Sequence, residues 1–183
     1  MKQALLLIDI QNDYFDGGAM TLVNAYQASQ NAKQLLEKFR NKKLPVIHIQ
    51  HIATKAGATF FLPETFGVEI HKNVRPVADE KVIIKHFPNS FRETELLDVL
   101  RENEITDLIV AGMMTHMCID ATTRAAKDLG YNCTLIGDAC ATRNLEINGE
   151  TIKAADVHNA FLAALNITYA TITTAKDRIQ FLQ

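Results

Sequence analysis

The sequence predicts an α/β fold: a parallel sheet of about six strands with helices on both faces, a three-layer α/β/α sandwich. Three observations predict it. Short apolar runs alternate along the chain with longer stretches in which apolar residues recur at helical spacing. The runs themselves lack polar alternation, as expected of strands covered on both faces. No Pro-, Gly- or Ser-rich linker interrupts the pattern, so residues 1–183 read as one domain with a single irregular insertion at about 52–80.

Ala4 to Ile10 is the first strand, with Asp9 at its carboxyl end, and Gln11 to Gly18 is turn chemistry carrying two aromatics. Asn24 reads as the N-cap of a helix in which Ala25, Ala28, Ala32, Leu35, Leu36 and Phe39 recur through Lys42. Pro45 to Gln50 is the second strand. Residues 52–80 hold three phenylalanines with little periodicity, too long for a connector and too apolar for a free linker, and read as a lid or a subunit contact. Val82 to Ile84 is a short strand ending at Lys85, and Ser90 or Thr94 caps a helix through Leu96, Leu97 and Leu100.

Leu108 to Ala111 is the next strand, followed by a turn and a helix that ends at Gly130, a C′ glycine. With Thr115 as N-cap, Cys118 falls at the third helical position, where free N–H groups and the helix dipole favour a thiolate. The competing account is a small residue packing helix against sheet. Cys133 to Ile136 is a strand, Gly137 to Glu150 a polar loop, Ala154 to Leu165 a helix, and Thr168 to Ile172 the last strand.

Net charge is -2 with the signs interspersed, which gives no basic stripe for nucleic acid and no charged tail. The amino-terminal apolar run meets Asp9 too soon to serve as a signal sequence or a membrane span, so a cytoplasmic protein with no membrane partner is expected. Cys118, Cys133 and Cys140 are an odd number without metal-type spacing, which suits reduced thiols. Cys133 reads as inert strand packing and Cys140 as a loop residue.

In open α/β sheets the ligand crevice lies beyond the carboxyl ends of the strands. Asp9, Lys85 and Cys118, three different chemistries far apart in sequence, all fall at that edge. The stretches that carry them, Leu6-Leu7-Ile8-Asp9-Ile10-Gln11-Asn12-Asp13, Lys85-His86-Phe87-Pro88-Asn89-Ser90-Phe91 and Ala111-Gly112-Met113-Met114-Thr115-His116-Met117-Cys118, resemble the isochorismatase-like cysteine hydrolase superfamily over nearly the whole chain. That group includes nicotinamidases, N-carbamoylsarcosine amidases and ureidoacrylate hydrolases.

The resemblance implies a catalytic triad of Asp9, Lys85 and Cys118, a cis peptide between Met113 and Met114, a small-molecule substrate, and self-association as a dimer or tetramer. Cys118 would attack the carbonyl carbon of an amide, carbamoyl or ureido compound, with Asp9 as base and Lys85 as electrostatic partner. The backbone N–H groups of Met114 and Cys118 would meet the oxyanion. Hydrolysis of isochorismate's vinyl ether within the same fold is a rival reading, against which Cys118 itself weighs; a non-catalytic binding protein is another.

Nicotinamidases of the superfamily bind a divalent ion through an aspartate and two histidines near the second strand. Here Gln50 stands about where that aspartate would be, and an amide is a poor substitute for a carboxylate, so neither a metal nor any other cofactor is expected. Strand alternation turns His48 and His51 to opposite faces. Gln50 and His51 would line the substrate pocket, with His48 structural. Phe15, Phe87 and Phe91 would form an apolar wall or pack in the core, and His116 would face the pocket or solvent. Asp120 and Arg124 read as an i,i+4 pair.

Overall fold

The computed structural model describes residues 2–77 and 79–182. In chain order the elements are β1 (Gln3–Ile8), α1 (Ala25–Asn41), β2 (Val46–His51), β3 (Lys81–Lys85), α2 (Leu96–Glu102), β4 (Asp107–Met113), α3 (Asp120–Asp128), β5 (Asn132–Ala141), β6 (Leu145–Ile147), β7 (Glu150–Ile152), α4 (Ala154–Thr168), β8 (Thr171–Thr173) and α5 (Ala175–Phe181). Six strands form one sheet in the order β3-β2-β1-β4-β5-β8, every neighbouring pair parallel. The chain runs outward from β1 to β3 and returns to β4 on the other side of β1, so the order reverses between β1 and β4.

Successive side chains of a strand point to opposite faces. Leu5 and Leu7 accordingly join Ala28, Leu35 and Phe39 of α1 and Ala175 of α5, while Ala4, Leu6 and Ile8 join Leu96 and Leu100 of α2, Ala126 of α3 and Leu165 of α4. β1 is buried between both helical layers, which is why its sequence shows no polar alternation. None of the described helices is long and apolar enough to cross a membrane.

Several boundaries differ from the sequence reading. Asn24 does precede α1, but its backbone is left-handed (φ 61°) and its side chain caps nothing. Thr115 is no N-cap either: Thr115–Ile119 form a π-helical turn ahead of α3, and the Thr115 hydroxyl is engaged by His158 (2.9 Å) and the Ala141 carbonyl (3.3 Å). The polar loop from Gly137 is in part a strand. β5 continues to Ala141 through a bulge, pairing Val110 with Leu135 but Gly112 with Cys140, and β6 and β7 make a small antiparallel hairpin. Cys140 therefore sits buried in a strand rather than in a loop. α4 extends through Thr168, and the last strand starts at Thr171.

Gly112 explains how β1 and β4 approach each other beside the site. Its φ is +141°, and a Cβ there would stand 2.0 Å from the Ile8 carbonyl oxygen, a backbone atom that cannot swing away. Gly112→Ala is expected to destabilise the protein by at least about 1–3 kcal/mol, the range for overpacking, with backbone strain added. A denaturant titration checks this, and an unchanged midpoint would contradict it.

The 52–80 segment is stitched to the loop after β1 mainly through the backbone. The Asn12 amide donates to Glu69 O, and the His71 amide to Ile10 O. Gln11 Nε2 and Gln50 Nε2 both donate to Val68 O, and Asn12 Nδ2 to Phe66 O. The Asp13 carboxylate accepts from the Phe61 and Ala19 amides. A Cβ on Gly67 would stand 2.1 Å from that carboxylate, so any side chain there would have to push Asp13 off the Phe61 and Ala19 amides.

Candidate active site

Four neighbouring strands each deliver one side chain to the carboxyl edge of the sheet. Asp9 follows β1, His51 and Lys85 end β2 and β3 and pair in register, and Cys118 lies in the π turn after β4. Asp9 and Cys118 straddle the point where the strand order reverses, which is where open α/β sheets leave a crevice. Asp9 is left-handed (φ 52°), Lys85 and Asp9 are fully buried, and Cys118 is 5% exposed.

Lys85 Nζ is the hub. It lies 2.7 Å from Asp9 Oδ2, 3.0 Å from His51 Nδ1, 3.0 Å from the Phe87 carbonyl oxygen and 3.3 Å from Cys118 Sγ. The Phe87 carbonyl is steadied from outside: Ser90, three residues further on, bonds Thr122 of α3 through its amide (3.0 Å) and hydroxyl (2.8 Å). Neither Asp9 carboxylate oxygen makes a geometrically sound hydrogen bond among the described residues, so the 2.7 Å contact of Oδ2 with Lys85 is an ion pair and Oδ1 is left without a partner. The peptide between Met113 and Met114 is cis. Beyond it the Met114 carbonyl accepts from the Met117 and Ile119 amides, and this winds the Cys118 turn wider than an α-helix.

Ionisation follows from burial and neighbours. Burial pushes the Cys118 thiol up, the Asp9 carboxylate pushes it further, and Lys85 opposes. The resting residue is thus a thiol, not the thiolate that a helix start alone implies, because Cys118 precedes the α3 terminus and faces an anion in a dry site. Burial works against the Lys85 ammonium, but Asp9 and Cys118 beside it hold it above the ordinary lysine value. His51 is lowered to about 4 by burial and then by Lys85, with Asp9 opposing, so its imidazole is neutral near pH 7. An ammonium has no lone pair, so Nδ1 must be the acceptor and the ring proton is assigned to Nε2.

The other expected pocket residues are occupied in particular ways. Gln50 Nε2 donates to Val68 O, and the His116 ring meets the Thr142 hydroxyl at 2.6 Å. The Phe15 ring stacks on His71 (3.7 Å), the Phe91 ring on Tyr131 (6.3 Å), and the Phe87 ring lies under the Arg92 guanidinium (3.7 Å). Phe87 enters the site through its main chain instead. Asp120 and Arg124 form the expected pair at 2.9 Å, and Cys133 is buried in β5. Tyr14, which the sequence reading passed over, is buried near Cys118 and Asp9 with its ring 4.6 Å from Phe61; burial first, then the neighbouring Cys118 and Asp9, raise its pKa well above the ordinary value.

A nicotinamidase-type metal set does not fit these residues. His48 Nε2 is bound to Glu80 (2.9 Å) on the α1 side, His71 Nδ1 accepts from the Asn73 amide, and Gln50 is spent on Val68. Asp9, His51 and Cys118 do bring donor atoms within 4.8 Å of one another. Lys85 Nζ, however, already touches all three, so the cation of this cluster is an ammonium. A surface cleft of about 760 Å³ between Arg40, Lys81 and Asn103 opens at the opposite end of β2 and β3, away from these residues.

The isochorismatase domain model matches residues 3–177. The isochorismatase family protein YddQ of Bacillus subtilis is 53% identical over 176 residues, covering 96% of this chain and 98% of its own. A nicotinamidase of Escherichia coli is 28% identical over 212 aligned positions, covering 96% of each chain. A solved structure from Oleispira antarctica assigned to the isochorismatase hydrolases superposes with a TM-score of 0.94 at 49% identity, covering 98% of this chain and 96% of its own.

Proposed function

The chain belongs to the isochorismatase family of hydrolases, and on that premise we propose that it cleaves a C–N bond of a small amide, carbamoyl or ureido compound through a thioester on Cys118. One observation carries the reading: a buried ammonium held between a carboxylate at 2.7 Å and a thiol sulfur at 3.3 Å. Likeness to a nicotinamidase supports a carboxamide carbonyl as the group attacked.

In this reading Asp9, with one carboxylate oxygen unpartnered, removes the thiol proton as the Cys118 sulfur bonds to the carbonyl carbon. The carbonyl electrons move to oxygen, where the N–H groups of Met114 and Cys118 donate. Asp9 then returns its proton to the departing nitrogen, the C–N bond breaks, and the thioester remains. Water attacks it with Asp9 taking a proton, and the sulfur leaves, to be reprotonated at rest. Lys85 keeps its charge throughout and stabilises whichever of Asp9 and Cys118 is the anion.

A screen of small amides, carbamoyl compounds and ureas, read by amine release and by intact mass after rapid quench, tests this. The expected result is turnover of at least one class with an acyl mass added at Cys118. Turnover with no adduct on any substrate, where deacylation is slowed by low pH, would count against the covalent route.

A further inference from the structure

Asp9 and Lys85 are fully buried and Cys118 is 5% exposed, so a substrate reaches them only after some covering segment gives way. Most of the cover is tied down several times over. Gln11 clamps His51 from both sides, Nε2 donating to His51 O and Oε1 accepting from the His51 amide, each at 2.8 Å. The Tyr14 amide donates to Gln11 O, and Tyr14 O accepts from the Leu22 amide. The Cys118 turn is held through Thr115 to Ala141 and His158, and through His116 to Thr142.

Residues 53–65 are held far more loosely. Every residue from 53 to 65 is exposed or partly exposed except Phe61, which is 1% exposed. The centre of its ring lies 4.6 Å from that of Tyr14 and 5.8 Å from that of His51, whose Nδ1 is 3.0 Å from Lys85 Nζ. One aromatic plug thus joins an exposed loop to the buried cluster. The loop closes on itself at its neck, where the Ala53 amide donates to Phe61 O at 2.9 Å. Among the described residues, its sole hydrogen bond to the chain outside 53–65 runs from the Phe61 amide to Asp13 Oδ2 at 2.6 Å. Asp13 is steadied in turn by the Ala19 amide, which donates to Oδ1 at 3.1 Å. The Phe61 backbone is left-handed (φ 56°), a conformation that bulky residues disfavour, so opening relieves the loop while the charge-assisted bond to Asp13 opposes it.

We propose that residues 53–65 are a lid over Cys118, with the Phe61 ring as its plug and the Asp13 carboxylate as the latch that sets how often it opens. Phe61 and Asp13 govern access and take no part in bond making. A closed lid keeps water and stray electrophiles from the thiol, and the single latch lets the loop swing without disturbing Gln11, His51 or the Cys118 turn. The lid concerns access to Cys118, not which bond is cleaved there.

The test is the rate of Cys118 alkylation by iodoacetamide in the wild type, Asp13→Asn and Phe61→Ala, with every modified cysteine located by peptide mapping. Cys133 and Cys140, buried in β5, report any loosening of the body of the protein. Asparagine presents one oxygen and one NH₂ where Asp13 presents two oxygens, so it cannot accept from both amides; Phe61→Ala removes the plug and leaves every charge in place. Each variant should alkylate Cys118 roughly tenfold faster, the change expected when a hydrogen bond to a charged acceptor is lost, with Cys133 and Cys140 as slow as in the wild type. Amide hydrogen exchange across 53–65 should rise in parallel in Asp13→Asn. An unchanged Cys118 rate in either folded variant would overturn the lid, as would an acceleration shared by all three cysteines in a variant that melts near the wild-type midpoint. Where a variant folds poorly, exchange in the wild type decides. There the Phe61 amide should exchange at least about a hundredfold faster than those of Leu6 and Val110 in the paired strands β1 and β4, and equal protection would overturn the proposal. Faster alkylation in the variants with no amide turned over would overturn the proposed reaction alone; amide turnover with unchanged alkylation would overturn the lid alone.

Discussion

Cys118→Ala is expected to remove turnover by about 10⁴-fold or more, since deleting one member of a unit that acts together costs nearly as much as deleting the whole. The acyl adduct should vanish with it. The fold should remain, because Cys118 contributes a small buried side chain to a layer held by Leu96, Leu100 and Leu165, and its thiol is not a partner on which the sheet depends. Steady-state rates, intact mass and a thermal melt together decide the matter. A variant that still hydrolyses the substrate would end the nucleophile assignment, and one that fails to fold would show the residue to be structural.

Lys85→Met is expected to damage stability as well as activity. The Asp9 carboxylate would be left without its 2.7 Å partner at a fully buried position. Breaking a buried ion pair from one side typically costs about 3–5 kcal/mol, because the surviving charge stays desolvated. A denaturant titration measures it, and a loss below about 1 kcal/mol would mean that the pair behaves like a solvated one. The pH dependence of the wild type follows from the same pair. Lys85 is held above the ordinary lysine value, so its contribution is complete below 10.5 and is lost only as pH rises through the elevated folded value. No stability change from this residue is expected near neutrality.

Much of this was legible from residue patterns. Apolar periodicity in β1, β4 and α1 is strong, and reading Asp9, Lys85 and Cys118 at strand ends needs only that periodicity. What escaped was set by contacts between elements. The β5 bulge goes with Asp138, whose carbonyl accepts from Asn31 of α1 and whose carboxylate accepts from the Ala175 amide at the start of α5, three segments distant in sequence. Cys140 moved from loop to strand for that reason. His51 was expected to meet substrate, and its bond to Lys85 depends on the β2–β3 register, which pairs the two residues directly. Phe87 was singled out for its ring, but residue type says nothing about a carbonyl oxygen. Thr115 has the composition of a cap, yet a π turn and His158 claim it.

The parallel sheet has a consequence for how the protein is made. Its four contributing strands span Asp9 to Cys118, and none is joined to its neighbour by a hairpin, so every pairing closes a long loop. Such non-local contacts form slowly and together. Asp9 and Lys85 meet only when β2 lies between their strands, and Cys118 joins them only when β4 has paired with β1. If Cys118 acts as proposed, recovered activity after denaturation will report completion of the central sheet, since Cys118 reaches Asp9 and Lys85 only once β4 has docked beside β1.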